Sequence, residues 1–220
     1  MSCLSRSLLL ACSVFALSFA IPAPSFADDA AAQQTQTDQS AASKFVQDLG
    51  NRAIAIITNK QLTTDQRNAQ FSQALSDSFD LKTIGRFVIG RTWNSSTPEQ
   101  QAEYMDLFKA LLIKNYGNRL TLAPGEVFKV VGSRSESDLD TTVNSQITHP
   151  DGSKPTTVDW RVRQQNGKTG VLDVIVEGIS LSVTQRQEYG SIVQNNGGQI
   201  DGLLDTMRSE LKDNTVSAAK

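Results

Sequence analysis

Two periods of hydrophobic patterning divide the chain. From Phe45 the apolar residues recur at helical spacing: Phe45, Val46, Leu49, Ala53, Ile56 and Ile57 share one face, with Ser43 placed as its cap. Thr63 and Gln66 occupy capping-box positions for a second helix, whose apolar face of Phe71, Ala74 and Leu75 is thin. Asp80 can cap a short helix carrying Leu81, Ile84, Phe87 and Val88. Gly90 is placed to end it, and Trp93 follows in a loop. Thr97-Pro98-Glu99-Gln100 starts a long helix that should run to about Leu122, with Met105, Phe108, Leu111, Leu112 and Tyr116 as its main stripe.

Beyond Pro124-Gly125 the period becomes two. Residues 127–133 and 139–148 can pair across the polar turn at 134–138. Asp151-Gly152 marks a second turn, leading to 156–164, where Val158, Trp160 and Val162 alternate with Asp159, Arg161 and Arg163. Asn166-Gly167 is a hairpin signal that opens onto residues 169–189, the stretch around which the chain is organised. There Leu172, Val174 and Val176 face one way, and Asp173, Ile175 and Glu177 the other. At Gly178 the parity switches, which predicts a bulge or bend. Ile179, Leu181 and Val183 then continue the apolar set up to a helix at Gln185.

That helix carries Tyr189, Ile192 and Val193 and breaks at Asn195-Asn196-Gly197-Gly198. Ile200, Leu203, Leu204, Met207 and Leu211 define a last amphipathic helix. Helices, an antiparallel meander of four strands or slightly more, then helices again predict a single α+β domain over 43–212, with a polar tail over 213–220. The apolar wall of the organising stretch has two readings: a sheet half-buried under helices, or the lining of a cavity for an apolar ligand.

Composition adds a leader. Residues 1–27 read as a cleaved secretory signal: Arg6, an apolar run from Leu8 to Ile21, and the small-x-small site Ser25-Phe26-Ala27. Leu9-Leu10-Ala11-Cys12 loosely resembles a lipoprotein site, which would tether the protein instead. Residues 28–42 contain no large apolar side chain and are expected to be disordered. Both cysteines, Cys3 and Cys12, fall in the signal, so the mature chain needs neither a disulfide nor a thiol nucleophile. The net charge of −2 becomes −3 once Arg6 is lost, a balance that argues against general nucleic-acid binding.

Residues with catalytic potential are sparse. The one histidine, His149, precedes Pro150-Asp151-Gly152 and reads as a solvent-exposed turn residue. No zinc or calcium spacing, nucleophile elbow, phosphate loop or dinucleotide fingerprint is present. Asp173 and Glu177 would lie about 13 Å apart at ~3.3 Å per residue, too far for a glycosidase pair, and are expected to face solvent or a basic neighbour. Asn94-Ser95-Ser96 fits a glycosylation acceptor, a pattern common by chance. Arg86, Arg91, Arg161, Arg163 and Arg186 recur beside apolar faces. They are either ordinary solvated surface or a positive rim for an anionic headgroup or an acidic docking partner.

Taken together, Phe79-Asp80, Arg86-Phe87-Val88-Ile89-Gly90-Arg91, Trp93, Thr97-Pro98-Glu99-Gln100, Trp160-Arg161-Val162, Asp173-Val174-Ile175-Val176-Glu177-Gly178-Ile179-Ser180 and Arg186 resemble the MlaC (toluene-tolerance) family of periplasmic phospholipid-shuttle proteins. The resemblance covers roughly Phe45 to Leu211; Tyr189 stands where much of the family has Phe. It implies a non-enzymatic periplasmic carrier without a cofactor, with a deep apolar cavity that takes phospholipid acyl chains. The implied partners are an outer-membrane lipoprotein/porin complex and an inner-membrane ABC transporter with an MCE-domain subunit. A related branch is associated with hopanoids. The residues expected to line the cavity or pack as plain core are Phe87, Val88, Trp93, Phe108, Leu112, Tyr116, Trp160, Val162, Leu172, Val174, Val176, Ile179 and Leu181. The rival readings are an enzyme of the cone-shaped α+β type acting on an apolar small molecule, and a periplasmic carrier or chaperone of a protein client.

Overall fold

The computed structural model describes residues 26–117 and 125–213. The chain runs α1 (Phe26–Thr58), α2 (Thr64–Ser78), α3 (Leu81–Ile89), α4 (Thr92–Ser95), α5 (Pro98–Gly117), β1 (Val127–Ser135), β2 (Asp140–Thr148), β3 (Thr156–Gln165), β4 (Lys168–Val176), β5 (Ile179–Ser180), α6 (Leu181–Asn195) and α7 (Asp201–Lys212). This is the expected α+β order. The expected signal segment lies outside the described residues except for Phe26 and Ala27, as does the tail beyond Asp213 and the last expected turn of α5.

Helix starts follow the local chemistry. Thr63 and Gln66 form a reciprocal capping box on α2, and Thr97 and Gln100 make the same two bonds at the head of α5. Asp80 caps α3 by accepting the Thr83 N–H at 3.0 Å, while its own N–H donates to the Val171 carbonyl, tying α3 to β4. One expectation fails at α1. The residues expected to form a disordered leader, 28–42, are helical, and Ser43 sits inside the helix instead of capping it. Ala and Gln are good helix formers and extend a helix nucleated by the packed residues that follow.

The five strands form an antiparallel meander in the order β1-β2-β3-β4-β5. Asn166 and Gly167 both take positive φ, as a two-residue hairpin requires. Gly178 differs from expectation. With Glu177 (φ 49°) and Gly178 (φ 81°) it forms a second tight hairpin turn, and Val176 pairs with Ile179. The parity switch thus marks a reversal of direction, not a bulge. The irregularity falls earlier, between Arg161 and Val162, where the register on β4 jumps from Asp173 to Val171. Helix α6 starts at Leu181, four residues before the expected point, because Ser180 caps it by accepting the Val183 N–H.

Two apolar cores result. One joins α3, α5, α6 and α7 through Val88, Tyr104, Phe108, Tyr189, Leu203, Leu204 and Met207. The other packs Ala42 and Val46 of α1 on Phe128, Val143 and Val162 of the sheet.

Candidate functional site

The site is an apolar cavity of ≈ 210 Å³, with walls drawn from elements of both cores. Leu49, Ala53 and Ile56 come from α1, and Phe71, Ala74 and Leu75 from α2. Phe79 precedes α3, which adds Leu81, Ile84 and Val88; α5 adds Phe108, Leu112 and Tyr116. The sheet gives Trp160, Leu172, Asp173 and Val174, and the first turns of α6 give Leu181, Ser182 and Gln185. An unfilled apolar void of this size would cost on the order of 5 kcal/mol at ~24 cal/mol per Å³, comparable to the whole stability of a small domain. Such a space suits an apolar guest better than a tightly packed core.

The aromatic walls are fixed from behind. The Trp160 indole N–H donates to Ser145 Oγ at 2.9 Å, and Ser145 donates onward to the Val158 carbonyl at 2.6 Å. This satisfies the polar atom of Trp160, leaves its ring as lining, and explains why Ser145 is buried. Phe128 meets the same ring edge-on at 6.2 Å. Phe108 stacks at 5.7 Å on Tyr104, whose hydroxyl donates to the Gly85 carbonyl. Burial pushes the Tyr104 and Tyr189 phenols well above the ordinary tyrosine range, so both are neutral packing groups.

Asp173 is the carboxylate in the lining. It is 5% exposed, against the expectation that it faces solvent or a basic neighbour. Its Oδ2 accepts the Ser180 hydroxyl at 2.6 Å, and its Oδ1 accepts the Ser182 backbone N–H at 3.0 Å. The positive end of α6 therefore compensates it, a signal that reading β4 by alternation alone did not supply. Glu177 is exposed at the hairpin turn and accepts from Thr157, whose hydrogen bonds hold its carboxyl below the usual range. The two acids do not share a site.

Of the residues expected to line the cavity or pack as plain core, Val88, Phe108, Leu112, Tyr116, Trp160, Leu172, Val174 and Leu181 line the cavity. The other five lie elsewhere. Val162 is fully buried in the α1–sheet core, and Trp93 packs from the short helix α4 against the helical core, edge-on to Tyr104. Val176 is half-buried at the end of β4, outside the lining. Ile179 and Phe87 point outward, 61% and 43% exposed, because the hairpin turn and the α3 face carry them away from the cavity. The lining from α1 and α2 was read from sequence as ordinary helix packing. The thinness of the Phe71, Ala74, Leu75 face was its one signal, since a helix beside a void needs few contacts.

None of the five candidate arginines lines the cavity. Arg163 makes a bidentate pair with Asp140, both contacts at 2.7 Å. Arg161 is exposed and pairs with Asp173 in the register of β3 on β4, at the irregularity before Val162. Arg86 lies over the Trp93 ring at 5.4 Å. Arg186 lies over Phe87 at 4.9 Å and donates to the Phe87 carbonyl; Arg91 is exposed beside them. His149 also departs from expectation: it is half-buried between Glu126 (2.7 Å) and Thr156 (3.1 Å), tying the starts of β1 and β3 together. Among the described residues no group of three or more His, Cys, Asp or Glu is placed to hold a metal, and no helix is long and apolar enough to cross a membrane.

A sheet and the helices packed on it around an apolar, nearly uncharged space define a ligand-holding α+β domain. Comparison with known proteins gives the family. The family model of the MlaC protein matches residues 47–209, and the chain belongs to that family. The toluene tolerance protein ttg2D of Pseudomonas putida is 26% identical over 116 residues, 53% of this chain and 54% of that protein; the chain thus matches about half the length of this relative. A solved structure of the phospholipid-binding protein from Ralstonia solanacearum, in complex with a phospholipid, superposes with a TM-score of 0.70 at 24% identity. It covers 78% of this chain and 97% of that one.

Proposed function

We propose that the protein is a periplasmic carrier that holds phospholipid acyl chains in the cavity and moves lipid between an outer-membrane complex and an inner-membrane ABC transporter with an MCE-domain subunit. The cavity itself carries this reading: its wall is aliphatic and aromatic, and its buried acid is spent on capping a helix. Membership of the MlaC family supports it, as does the phospholipid complex of the Ralstonia neighbour with the same fold.

The energetics require a carrier of this kind. A phospholipid has on the order of 30 chain methylenes, and exposing each to water costs ~0.8 kcal/mol, roughly 24 kcal/mol in all. Free diffusion between membranes is closed at that cost. A cavity exchanges one apolar surrounding for another, so transfer can run close to balance when the protein is docked at a membrane complex. No chemical step is needed, only an apolar wall and a path in.

The test is uptake. Protein stripped of lipid, incubated with vesicles of mixed glycerophospholipids and re-isolated, should carry about one phospholipid per chain. Protein that returns empty contradicts the reading. Protein that instead retains a polypeptide would point to a protein client.

A further inference from the structure

The helices that line the cavity carry an unusual face on their outer side. Ile179 is 61% exposed at the exit of the Glu177-Gly178 turn, and Val183, in the first turn of α6, is 42% exposed. Arg186 follows one helical turn after Val183, and its guanidinium lies on Phe87 of α3, itself 43% exposed. Three large apolar side chains thus stand in water on elements that pack on one another, α3 on α6 and α6 on β5, and α3 and α6 also supply Val88 and Leu181 to the cavity. The same helix α3 carries Arg86, which lies over Trp93, and Arg91 follows it, exposed. Neither these two nor Arg186 has a carboxylate partner among the described residues, whereas Arg52, Arg134, Arg163 and Arg208 all do. The chain is net negative, but on α3, its exit and α6 the basic residues Lys82, Arg86, Arg91 and Arg186 outnumber the one acid, Glu188.

We infer that this face is a contact surface for an anionic lipid bilayer. The aliphatic side chains at and just after an exposed turn suit entry among lipid headgroups, and arginines stacked on aromatic rings suit phosphate. The position favours lipid over an acidic protein partner. A helix is about 10 Å across, so seating this face on a bilayer brings acyl chains within one helix width of the cavity wall. The inference rests on the carrier reading for its purpose but not for its physics.

Protein purified from a periplasm is mixed with vesicles of phosphatidylglycerol and phosphatidylcholine, or of phosphatidylcholine alone, and sedimented. Association with the anionic vesicles only, weakening as salt is raised, is expected. Ile179→Ser with Val183→Ser, and separately Arg86→Gln with Arg91→Gln, should each weaken it about tenfold or more while the lipid extracted per chain stays unchanged. No association of the unaltered protein with anionic vesicles overturns the inference, and so does undiminished association of both variants. Variants that bind vesicles normally but fail to exchange lipid with a purified membrane-protein complex would make the face a protein docking site and equally overturn it. Protein that binds anionic vesicles but comes back from them empty of lipid supports the surface while removing the carrier reading.

Discussion

Asp173 on β4 accepts the backbone N–H of Ser182, the second residue of α6, at 3.0 Å, and with its other oxygen the hydroxyl of Ser180, the α6 cap, at 2.6 Å. Strand, hairpin turn and helix are locked by one buried carboxylate at the cavity wall. Replacing it by Ala leaves an N–H of the first helical turn without its partner and removes a charge-assisted pair of bonds. Asp173→Ala should therefore lower stability by about 2–3 kcal/mol, and Asp173→Asn by less. Urea unfolding of the two variants measures this. An unchanged midpoint for Asp173→Ala would mean that the carboxylate has some other task.

Bulk inside the cavity should block loading without unfolding the protein. Val174 and Leu112 line the space from the sheet and from α5. Val174→Trp or Leu112→Trp should reduce bound lipid to a small fraction of one per chain, with the far-ultraviolet circular dichroism unaltered. Normal loading of a folded variant would remove that residue from the wall.

Helix α1 approaches the sheet closely at Gly50, where an added Cβ would lie 2.2 Å from the Phe128 ring. Gly50→Ala gains about 1 kcal/mol of helix propensity but forces the ring out of its core position, at about 1–3 kcal/mol. A net loss of roughly 1 kcal/mol is expected. In a Phe128→Leu background the same change should become stabilising, and thermal unfolding of the four proteins in the cycle tests the reversal of sign.

Hydrogen bonds from Arg163 hold the Asp140 carboxyl below its ordinary range, with burial opposing them. A carboxylate with a lowered folded value stabilises fully above its unfolded value of about 4, and that contribution is lost as pH falls through the folded value. Stability should be flat from pH 7 to 5 on this account and decline below about pH 4. Arg163 is partly exposed, which limits the pair to about 1 kcal/mol or less. Arg163→Gln should lower stability at pH 7 by that amount and flatten part of the acid slope, as measured by urea unfolding at stepped pH.

Helix order, the meander and the hairpin at Asn166-Gly167 were legible because each rests on a local signal: a capping box, period-two alternation, a turn dipeptide. The hairpin at Glu177-Gly178 was not. A change of parity fits a bulge and a reversal equally, and only the pairing of Val176 with Ile179 decides between them. That single ambiguity accounts for placing Ile179 in the wall and for starting α6 four residues late. The cavity was half legible. Apolar strand and α5 positions were identified, whereas Leu49, Ile56 and Leu75 look alike in sequence whether they meet a neighbour or a void. The role of Asp173 depends on a helix end that comes close only in the folded chain.

The most direct measurement is native mass spectrometry of the protein isolated from a Gram-negative periplasm, followed by extraction and identification of what it holds. The account predicts one glycerophospholipid per chain, lost in Val174→Trp. A hopanoid in its place would keep the cavity and change the cargo. Protein that is empty when isolated, and that also takes no lipid from vesicles, would contradict the central claim.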